Sequence, residues 1–296
     1  MEGEVEVVTV GGGTVKVVLV QMDLAHRDVP ANRQRAAALL DSAARFQPDV
    51  VVLPETWTSG YSEPVFEAIE RYAEPMDGAS VNMLREKAAQ HGFNLIGGSL
   101  AERDGDKFFN TVPVIDRNGR LLGKYRKMHL YSAMGEDRAF CHGAEMPVWD
   151  LDFGRAAVMT CYDIRFPELA RTYALRGAKL IFVVSNFPKP KLHHWRMLLQ
   201  ARAIENQLFV IACNRVGSAH TSSYFGHSIV IDPWGEIVAE GDEEERIIPV
   251  EIQLKTVDEV RARIPVYYDR RPGSYPEDLM KPGLPADYFS GSRGGT

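Results

Sequence analysis

The 296-residue chain has few cysteines, no long apolar run and no excess of positive charge. Its longest apolar stretches, such as residues 15–20 and 180–184, are only as long as a strand, whereas a bilayer span needs ~20 apolar residues. With 34 Lys and Arg against 40 Asp and Glu, the net charge of −6 gives no electrostatic footprint for nucleic acid or an anionic membrane. The acidic N-terminus lacks the apolar segment of a secretory signal. We therefore expect a cytoplasmic protein that binds neither nucleic acid nor membrane.

Several motifs that identify common enzyme classes are missing as well. The sequence contains no Walker loop, no H-E-x-x-H, no C-x-x-C and no G-x-S-x-G. Its glycine triplet at residues 11–13 precedes the first predicted strand instead of following one, so it is not a dinucleotide-binding fingerprint. The pair His193 and His194 has no Cys or His at ligand spacing. Nothing in the sequence therefore predicts a nucleotide or metal site.

What is present is a regular alternation of elements. Short Val- and Ile-rich runs alternate with amphipathic stretches of helical periodicity, which predicts an α/β fold. The βα units favour parallel strands, and turns at Asn118 and Pro233 favour antiparallel hairpins. Because strands that are apolar on both faces need two covering layers, two sheets packed face to face with helices outside would satisfy the pattern. We expect a flexible extension (1–13), one domain (14–275) and a tail (276–296).

Three cysteines at wide spacing argue against a disulfide framework and for a reducing compartment. Cys161 ends a predicted buried strand and precedes a turn, which is where open α/β folds place their chemistry. The turn also offers backbone N–H groups that can stabilise an oxyanion. A free cysteine at such a position is more often a small buried hydrophobe, and Cys141 and Cys213 are predicted to be packing thiols of that kind.

Two charged residues at strand ends could act with Cys161. Glu55 follows a predicted buried strand and could be the general base for a thiol whose reference pKa is ~8.5. Lys127 ends a predicted hairpin strand and could stabilise the negative charge of a tetrahedral intermediate. Each is also explained as an ordinary solvated charge. Composition and periodicity do not require the three residues to meet.

The same positions resemble the nitrilase superfamily of carbon–nitrogen hydrolases, and the resemblance extends from about Val15 to Tyr275. The three signatures occur in the family's order, as Leu-Pro-Glu ending at Glu55, Tyr-Arg-Lys-Met-His-Leu around Lys127, and Thr-Cys-Tyr-Asp-Ile-Arg-Phe-Pro-Glu around Cys161. The segment Gly135-Glu136-Asp137 resembles the family's loop with a second glutamate, which maps to Glu136. The resemblance implies a four-layer αββα sandwich with two mixed β-sheets between helices. It also implies a homodimer and no metal or organic cofactor.

The resemblance further implies a mechanism for these residues. Glu55 would take the thiol proton, and Cys161 would attack the carbon of a C–N bond to form a thioester. Lys127 and the backbone N–H of Tyr162 would hold the oxyanion. Glu136 would position Lys127 or the substrate.

A structural network is predicted beneath the nucleophile, formed by Asp163, Arg165 and Glu168. A buried arginine needs a carboxylate partner, and Glu168 is close to Arg165 in sequence. On this interpretation the three residues of the network do not react, and Glu55, Lys127 and Cys161 carry out the reaction.

Segments such as Ser-Asn-Phe-Pro at 185–188 resemble ω-amidase-like members, which hydrolyse the terminal amide of small keto-acid amides such as 2-oxoglutaramate. A substrate with a free carboxylate needs a cationic clamp, for which the candidates are Arg165, Lys189 and Lys191. Residues 131–134 depart from the Phe-Asp of many ω-amidases, which leaves the acyl group open. The alternatives are a nitrilase, an N-carbamoyl amino acid amidohydrolase and a non-catalytic scaffold subunit.

Overall fold

The computed structural model describes residues 13–275, in which strands and helices alternate. The strands are β1 (Thr14–Gln21), β2 (Val50–Val52), β3 (Asn94–Ile96), β4 (Leu100–Asp104), β5 (Lys107–Ile115), β6 (Leu121–Arg126), β7 (Trp149–Leu151), β8 (Gly154–Thr160), β9 (Leu180–Ser185), β10 (Phe209–Asn214), β11 (Val216–Ala219), β12 (Ser222–Phe225), β13 (Ile229–Ile231), β14 (Ile237–Glu240) and β15 (Arg246–Gln253). The helices are α1 (Val29–Ala43), α2 (Glu63–Phe66), α3 (Ala79–His91), α4 (Glu136–Ala139), α5 (Pro167–Leu175), α6 (Leu192–Asn206), α7 (Lys255–Arg263) and α8 (Val266–Asp269). Short 3-10 turns occur at Ala44–Phe46, Ile69–Arg71, Ser132–Met134, Cys161–Arg165 and Pro272–Ser274. Within residues 13–275, no helix combines the length and the apolar character needed to cross a bilayer.

Two mixed sheets form the centre of the fold. The first has the order β15-β1-β2-β3-β5-β4, and β6 also pairs with β5. The second has the order β14-β13-β10-β9-β8-β7. Parallel pairs dominate the middle of each sheet, whereas the hairpin strands pair antiparallel. The prediction of two mixed sheets between helices is therefore confirmed.

The buried faces of β1 explain why its sequence is apolar throughout. Val18 and Val20 point into a cluster that contains Leu40 of α1 and Leu84 of α3. The alternate residues of β1 are equally buried and face the other way. There the second sheet is close, since the thiol of Cys213 on β10 donates to the Val20 carbonyl at 3.3 Å. Helix α6 packs on β10 and β13.

Strands β3 and β4 are separated by only three residues, because the chain turns between them. Gly98 has φ = 62°, in the left-handed region that favours glycine. A Cβ atom there would lie 2.3 Å from the Pro54 carbonyl oxygen. This turn therefore allows close approach to the segment that carries Glu55. The hairpin β11–β12 was not predicted, because its short polar strands carry little periodic signal.

The compact unit that contains both sheets ends at Val260, and a second, smaller unit begins at Arg261. The described part of the second unit includes α8. The prediction of one domain over 14–275 stays a prediction. The predicted tail (276–296) lies outside the described residues, as does the predicted extension (1–13) apart from its last residue.

Candidate active site

Residues from three separate segments of the chain form a buried charged cluster. Glu55 lies just beyond β2, Lys127 directly follows β6, and Glu136 begins α4. Lys127 Nζ lies 2.9 Å from Glu55 Oε1 and 2.9 Å from each carboxylate oxygen of Glu136. All three side chains are excluded from solvent. The fold therefore places one lysine between two carboxylates.

Cys161 directly follows β8 and lies within electrostatic range of this cluster. Burial raises the pKa of its thiol, the Glu55 carboxylate raises it further, and Lys127 opposes the rise. The thiol is therefore protonated near neutral pH and needs a base before it can attack. The backbone at Cys161 has φ = 43°, a left-handed conformation that costs a residue with a side chain about 1–2 kcal/mol. Such strain clusters at functional sites.

The turn that begins at Cys161 leaves backbone donors available. Tyr162 is its second residue, so its N–H precedes the first position that can bond within the turn. The Tyr162 side chain also lines the cavity described below. A backbone donor therefore lies next to the thiol.

Glu55 accepts hydrogen bonds on both carboxylate oxygens. Oε1 accepts from Lys127 Nζ and from Asn110 Nδ2, each at 2.9 Å, and Oε2 accepts from the Asn186 backbone N–H at 2.8 Å. Burial raises the pKa of Glu55, Lys127 opposes the rise, and Glu136 adds to it. A raised pKa makes the carboxylate a better acceptor for a thiol proton.

The two glutamates in turn determine the charge of Lys127. Burial by itself would lower the pKa of Lys127, but Glu136 and Glu55 raise it above its usual value. The lysine is therefore charged at neutral pH. A fixed positive charge in a site closed to water can stabilise negative charge that develops nearby.

Sequence reasoning missed Tyr61, Asn110 and Asn186. The Tyr61 hydroxyl donates to Glu136 Oε2 at 2.8 Å, and its ring centre is 5.2 Å from Lys127 Nζ. Asn110 Nδ2 donates to Glu136 Oε1 at 3.0 Å as well as to the other glutamate. The register of the β5–β6 hairpin could have revealed Asn110, because it opposes Lys127. Tyr61 lies in a loop that carries no local signal, and the Ser-Asn-Phe-Pro segment pointed to a branch of the family without indicating a role for Asn186.

Asp163 connects the cysteine turn to the segment that carries the lysine. Its Oδ1 accepts from the His129 backbone N–H at 3.0 Å. Its Oδ2 accepts from the Tyr125 hydroxyl at 2.7 Å and from the Thr160 N–H at 2.8 Å. Asp163 is completely buried, so these bonds hold the two segments in a fixed relation.

The predicted pairing of Arg165 with Glu168 is wrong. Arg165 is only half-buried, and its guanidinium lies 5.7 Å from the Phe187 ring centre at the cavity wall. Glu168 is exposed in the first turn of α5. Because Arg165 keeps contact with solvent, it does not need the carboxylate that a fully buried arginine would require.

A cavity of about 490 Å³ opens beside Cys161. Its wall includes the three predicted cations, the loop before α4 and the tip of the β11–β12 hairpin. The lining residues are Tyr61, Tyr131, Met134, Cys161, Tyr162, Arg165, Asn186, Phe187, Pro188, Lys189, Lys191, His194, Thr221, Ser222, Ser223 and Tyr224. The cavity is therefore large enough for a small linear molecule and is cationic on one side.

The three cations of the wall differ in their partners. Lys189 Nζ is 2.6 Å from Glu243, so its charge is largely compensated. Lys191 Nζ lies 5.3 Å from the Tyr131 ring centre, and Arg165 contacts rings and His194. Within residues 13–275, neither Lys191 nor Arg165 forms an ion pair with a carboxylate.

The other two cysteines lie away from this cavity wall. Cys213 is fully buried on β10, and burial raises its pKa to about 12. Cys141 is partly buried in a loop. Within the described residues, no three His, Cys, Asp or Glu side chains are grouped as a metal site.

The family model described as carbon–nitrogen hydrolase matches residues 16–262. That range covers most of the chain and includes the whole buried cluster. The chain belongs to the carbon–nitrogen hydrolase family.

Individual relatives agree with this assignment. The 2-oxoglutaramate amidase of Bacillus subtilis (strain 168) is 38% identical over 255 residues, covering 86% of this chain and 97% of that protein. The crystal structure of Saccharomyces cerevisiae Nit3, a member of branch 10 of the nitrilase superfamily, matches with a TM-score of 0.81 at 35% identity, covering 87% of this chain and 97% of that one. A mutant amidase from Nesterenkonia sp. AN1, with the acetamide moiety of fluoroacetamide covalently added at its active site cysteine, matches with a TM-score of 0.75 at 26% identity, covering 88% and 94%.

These findings confirm the predicted family and fold. They also confirm the predicted class of enzyme, a carbon–nitrogen hydrolase of the amidase type. The roles of individual residues stay predictions.

Proposed function

We propose that the protein hydrolyses the terminal amide of a small linear substrate that carries a distal carboxylate, such as 2-oxoglutaramate. The observation that carries the proposal is the buried cluster of Glu55, Lys127 and Glu136 beside a thiol at a cationic cavity. Similarity to a 2-oxoglutaramate amidase along nearly the full chain supports this substrate class.

In the first half of the proposed reaction, Glu55 takes the proton of the Cys161 thiol as sulfur attacks the amide carbon. The carbonyl oxygen becomes an oxyanion, which Lys127 and the Tyr162 backbone N–H stabilise. The raised pKa of the thiol supports a base-coupled attack, because little free thiolate exists near neutral pH.

In the second half, the C–N bond breaks and Glu55 returns its proton to the departing nitrogen. Ammonia leaves and a thioester remains on Cys161. Glu55 then takes a proton from water, which attacks the thioester carbon and releases the carboxylic acid. Glu55 gives that proton to the departing sulfur, which leaves as the thiol, so atoms and protons balance over the cycle. Glu136 keeps Lys127 charged and in place throughout.

For the distal carboxylate, the contacts favour Arg165 and Lys191 over Lys189. Lys189 is compensated by Glu243, whereas the other two have no carboxylate partner within residues 13–275. Arginine also offers a planar pair of donors that matches a carboxylate. We therefore propose Arg165 as the main clamp and Lys191 as a secondary contact.

Ammonia release with a panel of substrates tests the function. The panel contains 2-oxoglutaramate, butyramide, a nitrile of the same chain length and an N-carbamoyl amino acid. We expect the highest kcat/KM for the amide with a carboxylate. Turnover confined to the nitrile or to the carbamoyl compound would reject the amidase proposal in favour of that alternative.

Two cysteine variants form a matched pair for the mechanism. Cys161→Ala should abolish turnover, whereas Cys141→Ala should leave it near the wild-type rate. Mass spectrometry of the enzyme stopped during turnover should find the acyl adduct on Cys161. Full activity of Cys161→Ala would contradict the thioester mechanism.

We also propose a cytoplasmic homodimer. Met197 and Ile204 are seven residues apart on α6, so they share a face, and both are more than half exposed. An exposed apolar face of this kind is typical of an interface. Light scattering should report a dimer, and Met197→Asp should reduce it to a monomer. The free thiols of all three cysteines support a reducing compartment.

A further inference from the structure

The side chain of Asn110, on β5, lies between the two buried glutamates. Its Nδ2 atom is 2.9 Å from Glu55 Oε1 and 3.0 Å from Glu136 Oε1. Lys127 Nζ is 2.9 Å from each of the same two oxygens. The two nitrogens and two oxygens therefore alternate in a closed ring. Because an amide nitrogen carries two hydrogens, Asn110 can donate one to each glutamate.

The backbone explains how Asn110 reaches this position. The N–H of Lys127 donates to the Asn110 carbonyl at 2.8 Å, so the two residues are neighbours across the hairpin. Both side chains then project toward the same carboxylates. The register of β5 and β6 thus brings a charged donor and a neutral donor to the same pair of oxygens.

The other end of the Asn110 amide points to a functional role. The Oδ1 atom is buried and has no hydrogen-bond partner among the described residues. A buried acceptor without a partner is unfavourable, so packing alone gives no reason for an amide here. The reverse orientation would set Oδ1 against two carboxylate oxygens. The Asn110 amide therefore leaves its oxygen without a hydrogen bond while its nitrogen donates to both glutamates.

We propose that Asn110 is a positioning residue for the reaction. Its amide holds Glu55 and Glu136 on either side of Lys127 and keeps Glu55 ionised, ready to take the thiol proton. This inference rests on the proposed role of Glu55 as the base.

Charge balance in the cluster gives the physical reason. Two carboxylates share one lysine, so the cluster would hold a proton between the carboxylates unless further donors stabilise the anionic forms. Asn110 supplies such a donor without titrating. The titratable groups that face Glu55 are Lys127 at the end of β6, Glu136 of α4, Cys161 of the turn after β8, Tyr61 before α2 and Tyr224 of β12.

The variants Asn110→Leu and Asn110→Asp remove the neutral double donor in two ways. Leucine has a similar size and no donor, whereas the new carboxyl group can donate at most one bond and adds a charge when ionised. We expect the acidic limb of the pH profile of kcat/KM to move upward by about one to two pH units in both, the shift that corresponds to one lost hydrogen bond to a charged group. KM should change little, because Asn110 does not line the cavity.

A second measurement makes the outcome independent of the amide substrate. The rate at which iodoacetamide alkylates Cys161, followed by mass spectrometry over pH, also depends on an ionised Glu55. The same upward shift is expected. A wild-type enzyme that releases no ammonia, but whose alkylation limb moves in the Asn110 variants, would reject the proposed amidase and still support Asn110.

Asn32→Leu is the matched control. Asn32 is fully buried in α1, and among residues 13–275 its side-chain amide bonds only to the backbone of Ala25 and Thr58. The Asn32→Leu substitution should lower Tm and leave the acidic limbs of both the kcat/KM profile and the alkylation profile unchanged. Three results would overturn the proposal: unchanged limbs in folded Asn110 variants, activity lowered equally at every pH, or failure of both Asn110 variants to fold, which would make the residue structural.

Discussion

Glu55 and Glu102 are both buried glutamates that accept hydrogen bonds from lysine, yet their surroundings differ. Glu102, on β4, accepts from Lys124 at 2.5 Å and from Arg126 on both oxygens at 2.8 Å. Those two cations keep part of their surface in solvent. Glu55 shares the fully buried Lys127 with Glu136.

The two sites differ in how far positive charge offsets the effect of burial on the pKa. Burial raises the pKa of Glu102, but hydrogen bonds from Arg126 and Lys124 outweigh it and lower the pKa below its usual value. At Glu55 burial prevails and the pKa is raised. At Glu102 two cations therefore offset burial, whereas at Glu55 deeper burial and a lysine shared with Glu136 leave the pKa raised.

Replacing the two lysines should give the largest contrast. Lys127→Met leaves two buried carboxylates without a counter-charge, so we expect a loss of about 3–5 kcal/mol in the free energy of unfolding. Removal of the oxyanion charge should also lower kcat/KM by at least ~10²-fold. Lys124→Met is the control, because Arg126 still compensates Glu102, and its cost should stay below about 1 kcal/mol. Equal losses of unfolding free energy for Lys127→Met and Lys124→Met, measured by urea unfolding, would contradict the proposed difference between the two sites.

Glu55→Gln and Glu102→Gln compare the two glutamates directly. We expect Glu55→Gln to lower kcat by about 10²–10⁴-fold with the fold retained, since the amide cannot take the thiol proton. Glu102→Gln should keep its kcat and lose about 1–2 kcal/mol of stability with its charged hydrogen bonds. Stopped assays of ammonia and circular dichroism separate these effects. An active Glu55→Gln enzyme would contradict its role as the base.

The same two variants should also differ in how stability depends on pH. Glu102, with a lowered pKa, contributes stability above its usual value of 4.5 that is lost as the pH falls through its folded pKa. The difference between wild type and Glu102→Gln should therefore shrink in acid. Glu55, with a raised pKa, contributes stability at low pH that is lost as the pH rises through its folded pKa. Urea titrations at several pH values give the difference in unfolding free energy between the wild type and each variant. We expect this difference to change with pH in opposite directions for Glu55→Gln and Glu102→Gln. The same direction for both would be inconsistent with the raised pKa of Glu55.

At the cavity wall the contrast between compensated and uncompensated charge recurs on a smaller scale. Arg165→Met should raise KM for 2-oxoglutaramate about tenfold, equivalent to ~1.4 kcal/mol, and leave KM for butyramide unchanged. Lys189→Met should raise KM for 2-oxoglutaramate less than Arg165→Met does, because Glu243 already compensates that lysine. A larger effect at Lys189 would reverse the assignment of the clamp.

Sequence reasoning was strongest where several signals agree within one segment. The buried strand ahead of Cys161 was predicted and lies where expected. The pairing of Arg165 with Glu168 failed, because closeness in sequence does not set the direction of a side chain. Tyr61 and Asn186 were missed, since each is brought to the glutamates by the path of a loop.

The sequence by itself determined the alternation of strands and helices, the family, and the presence of a glutamate, a lysine and a cysteine at strand ends. These follow from local periodicity and from short motifs. Only the tertiary structure decided that Lys127 lies between Glu55 and Glu136, that Asn110 bridges the same oxygens, and that Lys189 is compensated. Distances between distant segments depend on sheet register and burial, which no single segment encodes.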